Sequence, residues 1–287
     1  MTVLALFALN LFEKKQSTIP PPPSKEIKRP KEEKKPPTVR DSHIEQAKKK
    51  APSPLPLPHE RAGSVAQIAI LIDDIGQNMK ALDDLLAIDA PLSFAVLPHQ
   101  QYSLQAAEKL HRRQREILLH LPMEPHSFPQ KHPGKGALFL HMTGEEIQQQ
   151  LRKNLQSVPY VVGVNNHMGS RFTEDEEKMS IVMAELKKHG LYFVDSRTSG
   201  LSKAKKAAER TEIPFMTRRI FVDNEQSYET SLQNIMHVKQ EIASNGKEPV
   251  LLIAHPYPTT VASIRDAVPL LREQGIEIVP ISKLISP

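Results

Sequence analysis

Five apolar runs in this chain end abruptly in polar or ionisable residues. Ile68–Ile72 runs into Asp73-Asp74, and Glu116–Leu119 into His120, with Glu124 four residues on. Tyr160–Val164 runs into Asn165-Asn166-His167, with Arg171 beyond. Leu191–Val194 ends in Asp195, and Val250–Ala254 in His255, with Tyr257 two residues later. Imidazoles with carboxylates are a ligand set for zinc or a similar divalent ion. One carboxylate and two imidazoles leave positions open for water and substrate, and the ion brings the pKa of bound water toward about 7. A remaining Asp is then a general base and a distant His a general acid. That is metal-assisted hydrolysis of an acyl or phosphoryl bond. Any one of these ends alone reads as a turn, as Asp73-Asp74-Ile75-Gly76 does. Five of them together read as a site.

The elements that must hold them are short apolar runs alternating with amphipathic stretches. Strands are expected at 67–72, 92–97, 116–121, 160–164, 191–194, 214–222 (interrupted), 249–254 and 276–279. Helices are expected at 78–88, 102–114, 144–156, 174–189, 202–211, 228–245 and 260–273. Thr143-x-x-Glu146 and Thr173-x-x-Glu176 read as capping boxes. Seven or eight βα repeats predict an α/β protein with a parallel sheet, closed as a barrel or open and doubly wound. In either case the C-terminal strand ends converge on one rim. Neighbouring strand residues face opposite sides, so Asp73 and Asp74 are expected to meet different partners. Asn165 is expected to serve turn chemistry, and Asn166 to contact the cleft. Segment 122–142, rich in Pro, His and Gly, is the one long irregular connection and is expected to be functional.

Composition removes several classes. The 287 residues contain no Cys and no Trp, which excludes disulfides, thiol nucleophiles and Cys-ligated metals. There is no P-loop, no Gly-rich dinucleotide turn, no G-x-S-x-G elbow and no H-E-x-x-H. The net charge of +5 is concentrated in residues 1–64, which hold 13 Lys and Arg against 7 Asp and Glu. The remainder holds 25 against 26, so no nucleic-acid partner is expected. Eleven of the 25 prolines lie between Pro20 and Pro58, and residues 13–64 read as a disordered Pro/Lys-rich linker. Thr2–Phe12 is apolar apart from Thr2 and Asn10. It fits the core of an export signal or the remnant of a membrane anchor, although basic residues ahead of it and a cleavage site behind it are missing. A catalytic domain over 65–287, tethered outside the cytoplasm (periplasmic or membrane-anchored), is the expected organisation.

In order along the chain stand Ile72-Asp-Asp-Ile-Gly76, Leu92-Ser-Phe-Ala-Val-Leu-Pro98 and His120-Leu-Pro-Met-Glu-Pro125. Then come Asn165-Asn-His-Met-Gly-Ser-Arg-Phe-Thr173, Asp195-Ser-Arg-Thr-Ser199 and Ala254-His-Pro-Tyr-Pro258. This series resembles the divergent, YibQ-like polysaccharide deacetylases, relatives of the NodB-homology carbohydrate esterases. The likeness covers about residues 66–285. It implies a distorted (β/α) barrel of about seven strands and a zinc-dependent hydrolase that removes N-acetyl groups from an envelope polysaccharide. Carried over, Asp73 is the base, Asp74 a metal ligand, His120 a second ligand and His255 the acid. Arg171 and Asp195 fall where typical members orient the base and line the cleft, and Tyr257 is a further cleft candidate. The family's second His ligand is replaced here by Glu124, so either Glu124 or His167 completes the ligand set. Two alternatives stand beside this: a non-catalytic glycan- or partner-binding envelope protein, and another metal hydrolase such as a phosphoesterase.

Overall fold

A computed structural model describes residues 65–246 and 248–285. The expected signal or anchor at 1–12 and the linker at 13–64 lie outside the described residues. The strands are β1 (Ala66–Ile75), β2 (Ser93–Val96), β3 (Glu116–Met123), β4 (Gly163–Met168), β5 (Tyr192–Asp195), β6 (Phe215–Thr217), β7 (Ile220–Phe221), β8 (Val250–Ala254) and β9 (Ile276–Ile278). The helices are α1 (Met79–Leu86), α2 (Ser103–Arg112), α3 (Gly144–Ser157), α4 (Glu176–Lys188), α5 (Ala204–Thr211), α6 (Tyr228–Met236), α7 (Val238–Ser244) and α8 (Pro258–Glu273). Two expectations shift. The stretch 228–245 is not one helix but two, broken at His237. The fourth strand begins at Gly163 rather than at Tyr160, whose φ of 66° takes it out of the extended region.

Every ladder is parallel, and the order is β6-β5-β4-β3-β2-β1-β8-β7, with β9 paired to the start of β1. Ile68 pairs with both Val250 and Ile278, so β9 lies on the side of β1 away from β8. The two edge strands are consecutive in the chain. Thr217 of β6 and Ile220 of β7 are three residues apart, a reach of at most about 11 Å. A sheet whose opposite edges are joined by Arg218-Arg219 must curl round on itself. The result is a distorted parallel (β/α) barrel whose seam is crossed by the chain, with no β6–β7 ladder among the described residues.

Strand alternation sorts the core in two. Ile68, Ile70 and Ile72 pack outward with the helices, alongside Leu82, Leu85, Ile264 and Leu271. Ala69 and Leu71 face the barrel interior with Ala95, Leu118, Val194, Leu251 and Ile253. Each fully buried aliphatic side chain contributes about 1.5–3 kcal/mol. Burial on both faces is why the strands read as continuous apolar runs. Thr143 closes its capping box with Glu146 as the sequence predicts. At α4 the cap is Asp175, which accepts from the Lys178 amide, while Thr173 donates to the Gly169 carbonyl instead. A cap of this kind contributes about 1 kcal/mol.

Candidate metal and catalytic site

The inward parity that places Leu71 in the interior continues upward to Asp73. In the same way Leu118 leads to His120, Val194 to Ser196, Met216 to Arg218, and Ile253 to His255. On β4, Asn165 stands beside His120 and His167 beside Pro122 in the ladder. One parity rule therefore sends these side chains to the top of the barrel. Asp74 should then point outward, and it does not. Its φ is +57°, and the β1–β2 register shifts between Ile72 and Ile75. This local break in the pleat brings both acids to one place, so they share partners instead of facing opposite ways.

Three ligand atoms form a small triangle. Asp74 Oδ1 lies 3.2 Å from His120 Nε2 and 3.0 Å from His167 Nδ1, and the two ring nitrogens are 3.1 Å apart. Ligands each about 2.0–2.2 Å from one shared ion stand at such separations. Among the described residues Asp74 Oδ1 is also buried without a well-formed hydrogen bond, although two imidazole nitrogens crowd it. A buried carboxylate oxygen left this way needs an explanation, and a cation in contact with it supplies one. Among the described residues this is the His/Asp/Glu group that could hold a metal ion.

The neighbours fix these groups. His120 Nδ1 is 3.0 Å from Asn165 Oδ1, and Asn165 Nδ2 donates to Asp73 Oδ1 at 2.8 Å and to Ser196 Oγ at 3.1 Å. The amide oxygen can only accept, so His120 carries its proton on Nδ1 and turns Nε2 to the triangle. Across the cleft, His255 Nε2 is 3.9 Å from Asp74 Oδ2. Its Nδ1 is 3.0 Å from Asp223 Oδ1, and its backbone N–H donates to Asp223 Oδ2 at 2.7 Å. Thr260 donates to that same oxygen at 2.9 Å. Burial pushes the Asp73 carboxyl above its usual range despite the two nearby imidazoles. Burial also raises Asp74, but His120 and His167 outweigh it and hold that carboxyl well below the usual range. Burial opposes a charged His255, yet the Asp223 hydrogen bond and the charges of Asp73, Asp223 and Asp74 lift it to about 9. Two carboxyls and an imidazole are thus driven apart in protonation, the usual mark of an acid–base site.

The remaining candidates divide. Glu124 is brought elsewhere: Oε1 accepts from Arg171 Nη1 and Oε2 from the Leu140 amide, both at 2.8 Å. With both oxygens engaged it stands outside the triangle, and Arg171 is spent on it rather than on the cleft. Asp195 has the outward parity, because Tyr192 and Val194 of the same strand face inward, and its Oδ1 accepts from the Arg197 amide at 2.7 Å. Asn166 lines the cavity, but its amide ties β4 to the next rim, donating to Met168 O and accepting from the Ser196 amide. Tyr257 caps α8 and stacks on His255 with ring centroids 5.6 Å apart. Sequence reasoning gave Asn165 a turn role, whereas it is fully buried between Asp73 and His120. It also missed Asp223, which follows the two-residue strand β7, too short to show a period. Val222-Asp223 after an apolar pair was the one signal available.

Comparison with known proteins identifies the family. The sequence profile described as "Divergent polysaccharide deacetylase" matches residues 70–285. The chain is 36% identical over 204 residues to the uncharacterized protein YibQ of Escherichia coli (strain K12), covering 70% of this chain and 62% of that one. It therefore spans less than two thirds of that relative. An uncharacterized protein of Haemophilus influenzae is 30% identical over 200 residues, 70% of each chain. The crystal structure of the uncharacterized protein ATU2773 from Agrobacterium tumefaciens C58 superposes with a TM-score of 0.72 at 23% identity, covering 76% of this chain and 89% of that one. With its parallel barrel and the profile match over residues 70–285, this chain belongs to the divergent polysaccharide deacetylase family.

Proposed function

We propose that the protein is a zinc-dependent, or similarly metal-dependent, hydrolase that removes N-acetyl groups from an envelope polysaccharide outside the cytoplasm. One observation carries the reading: the buried Asp74 oxygen, without a hydrogen-bond partner among the described residues, is triangulated by His120 and His167, and those two imidazoles line one cavity with Asp73 and His255. Asp74, His120 and His167 would hold the ion. Glu124 is the replaced family position and braces the rim. When bound, the ion supplies Lewis-acid polarisation of the acetamide carbonyl and an acidified water.

The protein's own groups do the rest. Asp73 Oδ2 accepts the proton of the attacking water, while its Oδ1 is held by Asn165. His255, kept protonated by Asp223, gives its Nε2 proton to the departing amine. Asn166 holds the β4 and β5 rims together, and Tyr257 covers one face of His255. The test is elemental analysis of the purified full-length protein after zinc loading. Stoichiometric zinc is expected in the wild type and none in Asp74→Ala, and an empty wild type at neutral pH sinks the mechanism. A panel of acetylated sugars against phosphate esters then reads which bond is cut.

A further inference from the structure

The cavity at the site, about 430 Å³, has a second chemical character that hydrolysis does not use. Besides Asp73, His120, His167 and His255, its lining carries Arg197 and Arg218. Arg218 lies on the barrel seam and is rigidly posed. Nε donates to Ser196 O at 2.7 Å, Nη2 donates to Arg197 O at 3.0 Å, and Cζ sits 4.8 Å from the centroid of Phe221. Among the described residues Nη1 has no hydrogen-bond partner. Arg197 is exposed at the cleft edge, in a left-handed conformation with φ +52°. Other arginines nearby are paired: Arg171 with Glu124 and Arg219 with Glu241. Arg197 and Arg218 have no carboxylate partner of that kind among the described residues. Burial and the charge of Arg197 act against the Arg218 cation and outweigh the favourable charges of Asp195 and Asp73. Arg218 is half-buried and Arg197 exposed, and an anion entering the cavity that both line would offset their mutual repulsion.

We infer that Arg197 and Arg218 form an anion subsite, and that the glycan taken by this protein carries a carboxylate on the sugar beside the acetamido group to be cleaved. This rests on the hydrolase reading of the adjoining triangle and deepens it from polysaccharide to acidic polysaccharide. A guanidinium fork matches the two oxygens of a carboxylate, and Arg218 is pre-oriented for such a contact, so little side-chain entropy is lost on binding. Neutral N-acetylated glycans would leave both cations unpaired.

The test reads binding by calorimetry on the full-length, zinc-loaded protein carrying Asp73→Asn, which keeps hydrolysis from consuming the ligand. Oligosaccharides alternating N-acetylglucosamine and glucuronate are compared with N-acetylchitooligosaccharides of equal length, with sodium acetate and inorganic phosphate as free-anion controls. The acidic series should bind about tenfold more tightly or better, as one charge-assisted contact gives. The preference should weaken with added salt. Arg218→Gln and Arg197→Gln should each remove most of it, and Arg218→Lys should keep part. Since Arg218 also braces the seam, Arg197→Gln, which breaks none of those braces, guards against a merely structural loss. Equal affinity for the two series, a preference that survives both substitutions, or no binding of the acidic series at millimolar concentration overturns the proposal. So does loss of acetate or phosphate binding alone, with the glycan preference intact. Zinc stoichiometry is read separately, so failure here is distinct from failure of the hydrolase reading.

Discussion

Asp74 and Glu124 are both carboxylates at the top of barrel strands, with β2 lying between their strands, and the molecule treats them oppositely. Glu124 is saturated: Arg171 and the Leu140 amide take one oxygen each, and its own carbonyl accepts from the Arg171 and Phe172 amides. Asp74 keeps a buried oxygen that no well-formed hydrogen bond reaches among the described residues, with only the two imidazole nitrogens 3.0 and 3.2 Å away. The same contrast runs through the rim. His126, Glu174 and Ser199 form a self-satisfied surface chain, whereas the adjacent carboxyls Asp73 and Asp74 are driven in opposite directions, the first up by burial and the second down by His120 and His167. Full satisfaction marks a brace, and an unmet buried acceptor asks for an explanation that a ligand would supply.

The comparison breaks most visibly at the triangle. Asp74→Ala or His120→Ala should abolish stoichiometric zinc and lower activity by roughly a thousandfold or more, read by elemental analysis and initial rates. If either variant retains zinc, the triangle is not the metal site. Asp73→Asn and His255→Ala should keep the metal yet cost about 10²- to 10⁴-fold in kcat, as loss of a general base or acid does.

The same pair carries a pH signature. In metal-free protein His255 should titrate near 9, above the 6.5 of an unfolded imidazole, and Asp223→Asn should bring it down. A raised imidazole pKa stabilises the fold fully below pH 6.5 and loses that contribution as the pH climbs through about 9. NMR titration of the ring protons measures the first statement, and thermal melts across pH 6–10 the second.

A smaller effect is expected one layer out. Asn165→Leu should weaken zinc binding by about 10- to 100-fold, because His120 loses the acceptor that fixes its tautomer. Asn165→Asp, which keeps an acceptor for His120, should recover part of the affinity. The smallest effect sharpens the comparison from the other side. Glu124→Ala should cost about 1–3 kcal/mol of stability, leaving the part-buried Leu140 amide unpaired, with zinc stoichiometry unchanged. Zinc lost from Glu124→Ala while the protein stays folded would show that Glu124, not His167, is the ligand.

Much of this was legible in order along the chain. Asp73, Asp74, His120, His167 and His255 each end an apolar run, and a parallel sheet gathers strand ends on one rim whatever its closure. What the chain could not show was facing. Asp195 and Asn165 each sit one residue from a plausible alternative, and parity with Val194 or with His120 decides which way they look. Asp223 escaped because a two-residue strand has no period to read.

The amino-acid sequence by itself determined the alternation of strand and helix, the apolar parity of each strand, the absence of thiol chemistry and the set of groups available at the rim. These follow from local sterics and from where apolar surface must be buried. The tertiary structure alone decided which carboxylate was free. Glu124 meets Arg171 only because β3 and β4 pair in the register Pro122 to His167. Asp74 turns inward only because β1 slips against β2 between Ile72 and Ile75. Register is a long-range property, fixed by the packing of distant strands, and no spacing along one segment contains it.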